Sequence, residues 1–191
     1  VLNAAEFWDD LCEKHGGLSH AVLHEAGHAV VATIFNYPFE DVSVHEDPRE
    51  HEMDTERRIG GGVRFTSLDE LYAIMRADPR NSLLFSLAGE FAEKLAFGHH
   101  LDRSSAVDLN IWCHGVGLST GLPQEDIETT LNDIIGEPYA NVLRATNILL
   151  AANDVAVLAV ARALADERPM LLTRDSVNAI VAANAAMEIP E

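Results

Sequence analysis

The sequence predicts a mainly α-helical fold, a bundle-like domain with a small β-sheet of two or three short strands set beside one apolar helix. Three observations lead there. Hydrophobic residues make up 48% of the chain but aromatic residues only 6%, so much of the apolar content is alanine and other good helix formers. Glycine and proline fall where helices would begin or end, as at Pro38, Pro79, Gly98 and Gly136. The stretches 39–45 and 63–65, with Phe39, Val42, Val44, Val63 and Phe65, read as short strands.

Residues 18–36 read as a helix, with Ser19 near its start and Tyr37-Pro38 closing it. Phe39, Val42 and Val44 then mark a short strand over 39–45. The acid-rich segment 45–58 reads as an exposed, mobile loop. Gly60-Gly61-Gly62 leads into a second strand, Val63-Arg64-Phe65, and such an entry lets another backbone approach closely. Asp78-Pro79 supplies the cap and first turn of a helix that runs to Phe97 and stops at Gly98. Ser104 or Ser105 caps the next helix, which passes through Asp108 to about His114. Further helices are expected over 123–135, 138–152, 154–166 and 174–186, the last capped by Thr173. No internal repeat or low-complexity linker divides the 191 residues. They read as one domain, 1–191, with an N-terminal extension over 1–17.

Composition narrows the partners. Acidic residues outnumber basic ones by 31 to 13, for a net charge of −18. Nucleic acid and anionic membrane surfaces would repel such a chain, whereas neutral or cationic polypeptides would not. The two cysteines, Cys12 and Cys113, form no CxxC pair and fit reduced thiols better than a stapled secreted scaffold. The start of the chain lacks the basic and apolar runs of a signal peptide. The most apolar stretch, 148–165, is broken by Asn153, Asp154 and Arg162, too many polar groups for a spanning helix. The expectation is a cytoplasmic protein that neither inserts in a membrane nor binds nucleic acid.

The chemistry is concentrated in His24-Glu25-Ala26-Gly27-His28, an HExxH motif. On a helix its two histidines lie one turn apart on one face, where both can reach a single tetrahedral zinc ion. Glu25 projects beside them as a general base that need not ligate the metal. The flanking residues are apolar on every side of the helix, which places it in a core. Two histidines and a glutamate buried there would each cost free energy unless something satisfied them, and a metal with its water satisfies all three. A third protein ligand is required. His20 is one turn before His24, but three ligands along one straight helix do not converge on a tetrahedral centre, so it reads as a surface or helix-start residue. Glu93 and Asp108 are the better candidates, and periodicity does not choose between them.

At this point the sequence resembles the peptidase domain of the FtsH family of AAA zinc proteases. His24 to Val31 is similar to that family's zinc helix residue for residue. Phe39 to Val44 resembles the strand that follows it, and Gly62-Val63-Arg64-Phe65 the substrate-facing strand. Leu87-Ala88-Gly89, Ala92-Glu93 and Phe97-Gly98 resemble the next helix, Ser105 to Leu109 the segment carrying the third ligand, and Leu171-Leu172-Thr173 the approach to the last helix. The likeness spans most of residues 20–182. It implies Asp108 as the third ligand to one zinc ion, Glu93 as a carboxylate that orients a ligand, and Gly62, Val63, Arg64 and Phe65 as substrate-binding residues. Two departures stand out: Val107 replaces the asparagine usual in the family, and no GxxxxGK[ST] phosphate-binding motif occurs. The expectation is therefore a stand-alone domain lacking the ATPase and membrane segments, an ATP-independent zinc metalloendopeptidase cleaving flexible or unfolded polypeptides. The resemblance also suggests rings, hence a homo-oligomer or a separate ATPase or adaptor partner. The rival expectation is a catalytically inactive binding or regulatory module that keeps the metal site.

Overall fold

Val22, Leu23, Ala26, Ala29, Val30, Val31 and Ala32 are all sealed from solvent, so the first helix, α1 (Leu18–Ile34), buries every side of its apolar surface. It gives way where Asn36 adopts a left-handed φ of 54° just before Tyr37-Pro38. The computed structural model describes residues 18–47, 58–98, 102–118, 124–167 and 169–184. After α1 come strands β1 (Phe39–Asp47) and β2 (Arg58–Phe65), then helices α2 (Leu68–Ala77), α3 (Pro79–Phe97) and α4 (Asp102–Val116). The remaining elements are α5 (Gln124–Ile135), α6 (Tyr139–Ala152), α7 (Asp154–Asp166), β3 (Leu171–Thr173) and α8 (Arg174–Asn184). The protein is thus mainly helical with one small antiparallel sheet, as the composition predicts.

The sheet has the order β2-β1-β3. Val42 sits opposite Val63 on one side and Leu172 on the other. Both long strands outrun their predicted limits. β1 reaches Asp47 and β2 begins at Arg58, so the ends of the acid-rich segment 45–58 are ladder rather than loop. Residues 48–57 and the N-terminal extension 1–17 lie outside the described residues. β3, three residues long, adds a strand that the sequence presents only as the approach to the last helix.

The helix signals hold with local exceptions. Asp78 caps α3 by accepting from the Asn81 amide, and Gly98 ends it in the left-handed region. Thr173 accepts from the Ser176 amide at the start of α8. α4 starts about a turn earlier than expected: it begins at Asp102, so Ser104 and Ser105 lie within it rather than at its cap. α2 was not singled out in the sequence, yet it is capped by Ser67 through the Glu70 amide and packs Leu71 and Met75 inward.

The functional region is fixed by how α1 meets its neighbours. α3 crosses it closely enough that a Cβ on Gly27 would lie 2.6 Å from the Ala88 carbonyl oxygen. α7 and α8 cover other parts of α1, and β1 and β2 lie along it. α4 is moored by Trp112, fully buried, whose indole N–H donates to Ser82 Oγ at 3.0 Å in the first turn of α3. Asp108 lies one turn before Trp112 and inherits that position. Among the described residues no single helix is long and apolar enough to cross a membrane.

Candidate metal centre

The two HExxH histidines are 4% exposed, and each is held at its Nδ1 atom. His24 Nδ1 donates to Glu93 Oε1 on α3 at 2.6 Å, and His28 Nδ1 donates to the Phe85 carbonyl oxygen, also on α3, at 2.7 Å. A carbonyl can only accept, so His28 carries its proton on Nδ1; the Glu93 carboxylate imposes the same tautomer on His24. Each neutral ring is then left with a bare lone pair on Nε2.

Those lone pairs point at each other and at a third acceptor. His24 Nε2 and His28 Nε2 are 3.1 Å apart, and Asp108 Oδ2 lies 2.9 Å from the first and 3.3 Å from the second. Acceptors do not gather in this way in a protein interior unless a cation or a proton stands among them. In a tetrahedral site with ligands at about 2.0–2.1 Å from the ion, neighbouring ligand atoms are about 3.3 Å apart. The observed triangle fits that spacing. His24, His28 and Asp108 form a largely buried group able to hold a metal ion.

Without a metal, a proton is the natural occupant, and the surroundings of the triangle favour it. Burial alone would lower the His24 pKa, but hydrogen bonds with Asp108 and Glu93, helped by the Glu25 charge, outweigh it and push the value up to about 10. Burial would raise the Asp108 pKa, yet the charge on His28 and the hydrogen bonds to both histidines hold it well below the usual carboxylate range.

Glu25 lies beside the triangle and outside it. Burial raises its pKa, with the two histidines pulling the other way. Its carboxylate abuts β2: a Cβ on Gly61 would come within 2.9 Å of Glu25 Oε1 and Cγ. A Cβ on Gly62, by contrast, would meet nothing within 4 Å. Gly61 thus brings its backbone to the Glu25 carboxylate and to the Ser43 carbonyl of β1 at a distance a side chain would forbid, the close approach expected of the glycine run at this one position. Gly89 does the same on α3, where a Cβ would lie 2.4 Å from His24 Nε2.

Glu25, His28 and Asp108 open onto a cleft of about 170 Å³. Gly61, Gly62, Val63 and Phe65 form one wall, and Leu71, Met75 and Ile111 make its floor apolar. Of the four residues expected to meet substrate, Gly62, Val63 and Phe65 line this cleft. Arg64 does not; its guanidinium pairs with Asp41 and Glu40 on β1. In the described sheet β2 has β1 on one side only, which leaves its other edge without a paired strand.

His20 lies in the first turn of α1, one of its two expected places, but it is not at the surface: its side chain is 17% exposed, and its Nδ1 donates to Glu93 Oε2 at 3.1 Å. The sequence hid this because the intervening carboxylate comes from a helix 73 residues away.

No protein-family model matches the chain, and no curated protein matches it in sequence.

Proposed function

We propose that this protein is a zinc metalloendopeptidase of the FtsH type that acts on flexible or unfolded polypeptides. One observation carries the reading: three lone-pair donors, two from HExxH histidines, converge in a tetrahedral spacing while Glu25 stands next to them on an open cleft. A zinc ion held by His24, His28 and Asp108 supplies Lewis-acid polarisation of water and of the scissile carbonyl. His+His+carboxylate is a donor set that suits zinc, and Glu93 and the Phe85 carbonyl fix the ring orientations as supporting partners do in such sites.

The chain's own groups account for the rest of the reaction. Glu25, buried beside the triangle and facing the cleft, accepts the proton of the attacking water and can pass the same proton to the leaving amine. The unpaired edge of β2 offers main-chain hydrogen bonds to an extended substrate, with little demand on its sequence. The apolar floor of the cleft, including Leu71, Met75 and Ile111, favours a hydrophobic side chain next to the cleaved bond. A substrate in extended form is required, so folded proteins should resist.

The decisive comparison is wild type against Glu25→Gln, with bound zinc and turnover of an unfolded protein such as casein measured on both. The expected result is one zinc per chain in each protein and hydrolysis by wild type alone. Full activity in Glu25→Gln would overturn the assignment. Zinc in wild type with no hydrolysis of casein or of small amides and esters would instead make the protein a metal-keeping binding module.

A further inference from the structure

Glu93 is 1% exposed, and its two oxygens are held by different histidines of α1. Oε1 accepts from His24 at 2.6 Å and Oε2 from His20 at 3.1 Å. The second histidine is itself aimed. Its ring lies on the face of Phe97, centroids 4.0 Å apart and planes inclined by 28°. Phe97 is one turn beyond Glu93 on α3, as His20 is one turn before His24 on α1. Two adjacent turns of one helix are thus matched with two adjacent turns of the other, at a crossing locked by the Gly27–Ala88 approach.

We propose that His20 is a positioning residue of the metal centre, acting on His24 through Glu93. A carboxylate held at one oxygen can twist about its terminal torsion, and the ring it supports tilts with it. Held at both oxygens it has one orientation. Oε1 then keeps the His24 proton on Nδ1 and turns Nε2 toward His28 and Asp108. Phe97 gives His20 its plane, and the Nδ1 bond gives that plane a purpose that packing alone does not require. The relay runs from an aromatic face through a partly exposed imidazole and a buried carboxylate to a ligating imidazole. It rests on the metal reading of the site but not on peptidase activity.

His20→Phe keeps an aromatic ring for Phe97 and removes the donor; His20→Asn restores an amide N–H near the place of Nδ1. Zinc affinity, measured by competition with a chromophoric chelator, should fall about tenfold in His20→Phe, the low end for partners that orient a ligand. The visible spectrum of the cobalt-loaded protein should change as the His24 ring tilts. His20→Asn should recover most of both. In a Glu93→Gln background His20→Phe should add little, because the relay is already cut. Equal zinc affinity and an unchanged cobalt spectrum in His20→Phe would overturn the proposal, as would an undiminished effect in the Glu93→Gln background. If wild type takes up neither ion, the metal reading fails and this inference falls with it. If wild type binds and only the His20 series is flat, the metal reading survives alone.

Discussion

Replacing Gly89 by alanine would put a methyl group where the His24 ring now lies. In the interior of a helix this exchange ordinarily stabilises by roughly 0.5–1 kcal/mol. At Gly89 the new Cβ would sit 2.4 Å from His24 Nε2 and 2.5 Å from both Cδ2 and Cε1. Uncompressed contacts of this kind lie at about 3.5 Å, so the overlap is about 1 Å on three atoms of a rigid ring. The ring has little freedom to yield, because Glu93 holds its Nδ1 at 2.6 Å. Either His24 moves off the triangle or α1 and α3 separate where Gly27 already meets Ala88. Overpacking of this order costs about 1–3 kcal/mol, more than the helix gains. The metal-free protein should therefore melt a few degrees lower, at about 2–4 °C per kcal/mol for a chain of this size. Coordination distances tolerate only about 0.2 Å, so zinc affinity should drop by more than ~100-fold. Gly62→Ala is the matched control, since a Cβ there meets nothing within 4 Å. Thermal melts with and without EDTA, together with chelator competition, read both effects. A Gly89→Ala protein that binds zinc like wild type would refute the placement of the His24 ring.

Asp108→Ala and Glu93→Ala should separate ligand from support. The first should lose stoichiometric zinc on gel filtration, while the second should retain it with affinity weakened by about 10–100-fold; the opposite order would exchange their roles. The acid–base balance of the metal-free site gives a stability profile. Protonated His24 contributes stability that is whole below its ordinary value of 6.5 and is lost as pH rises toward about 10. Asp108, held low, contributes stability present above its ordinary 3.8 and lost as pH falls below it. EDTA-treated protein should thus melt at progressively lower temperature from pH 6.5 to 10, and zinc-saturated protein should resist that decline. A flat profile for the EDTA-treated protein would contradict the proton's place among the three acceptors.

How far this site could be seen in the sequence depended on what each residue needs from distant chain. His24, Glu25 and His28 were legible because their relation is local, one helical turn on a helix whose apolar flanks declare its burial. Fold class was legible for the same reason, since caps such as Asp78 and stops such as Gly98 act within a few residues. Asp108 and Glu93 could not be told apart by residue type or periodicity. What separates them is which nitrogen of His24 each one faces, Nε2 for Asp108 and Nδ1 for Glu93, a consequence of how α3 and α4 pack against α1. His20 stands at the helix start, as expected, and outside the His24–His28–Asp108 group; what the sequence does not show is that a carboxylate from α3 reaches it. β3 was missed as a strand because three residues carry no periodicity, and their pairing is supplied by β1.

The mooring of α4 by Trp112 gives the place of Asp108 a wider meaning. Two ligands arrive on one helix and would stay neighbours in any partly folded chain, whereas Asp108 is 80 residues beyond His28. An ion held by all three would bind the assembled fold and not the open chain, so its binding free energy would add directly to the stability of the fold. Such a centre would be a clasp between α1 and α4 as well as the reaction site proposed above. It could be complete only when α4 has docked, so on the proposed reading a half-assembled chain would hold His24, Glu25 and His28 but not yet a working peptidase site.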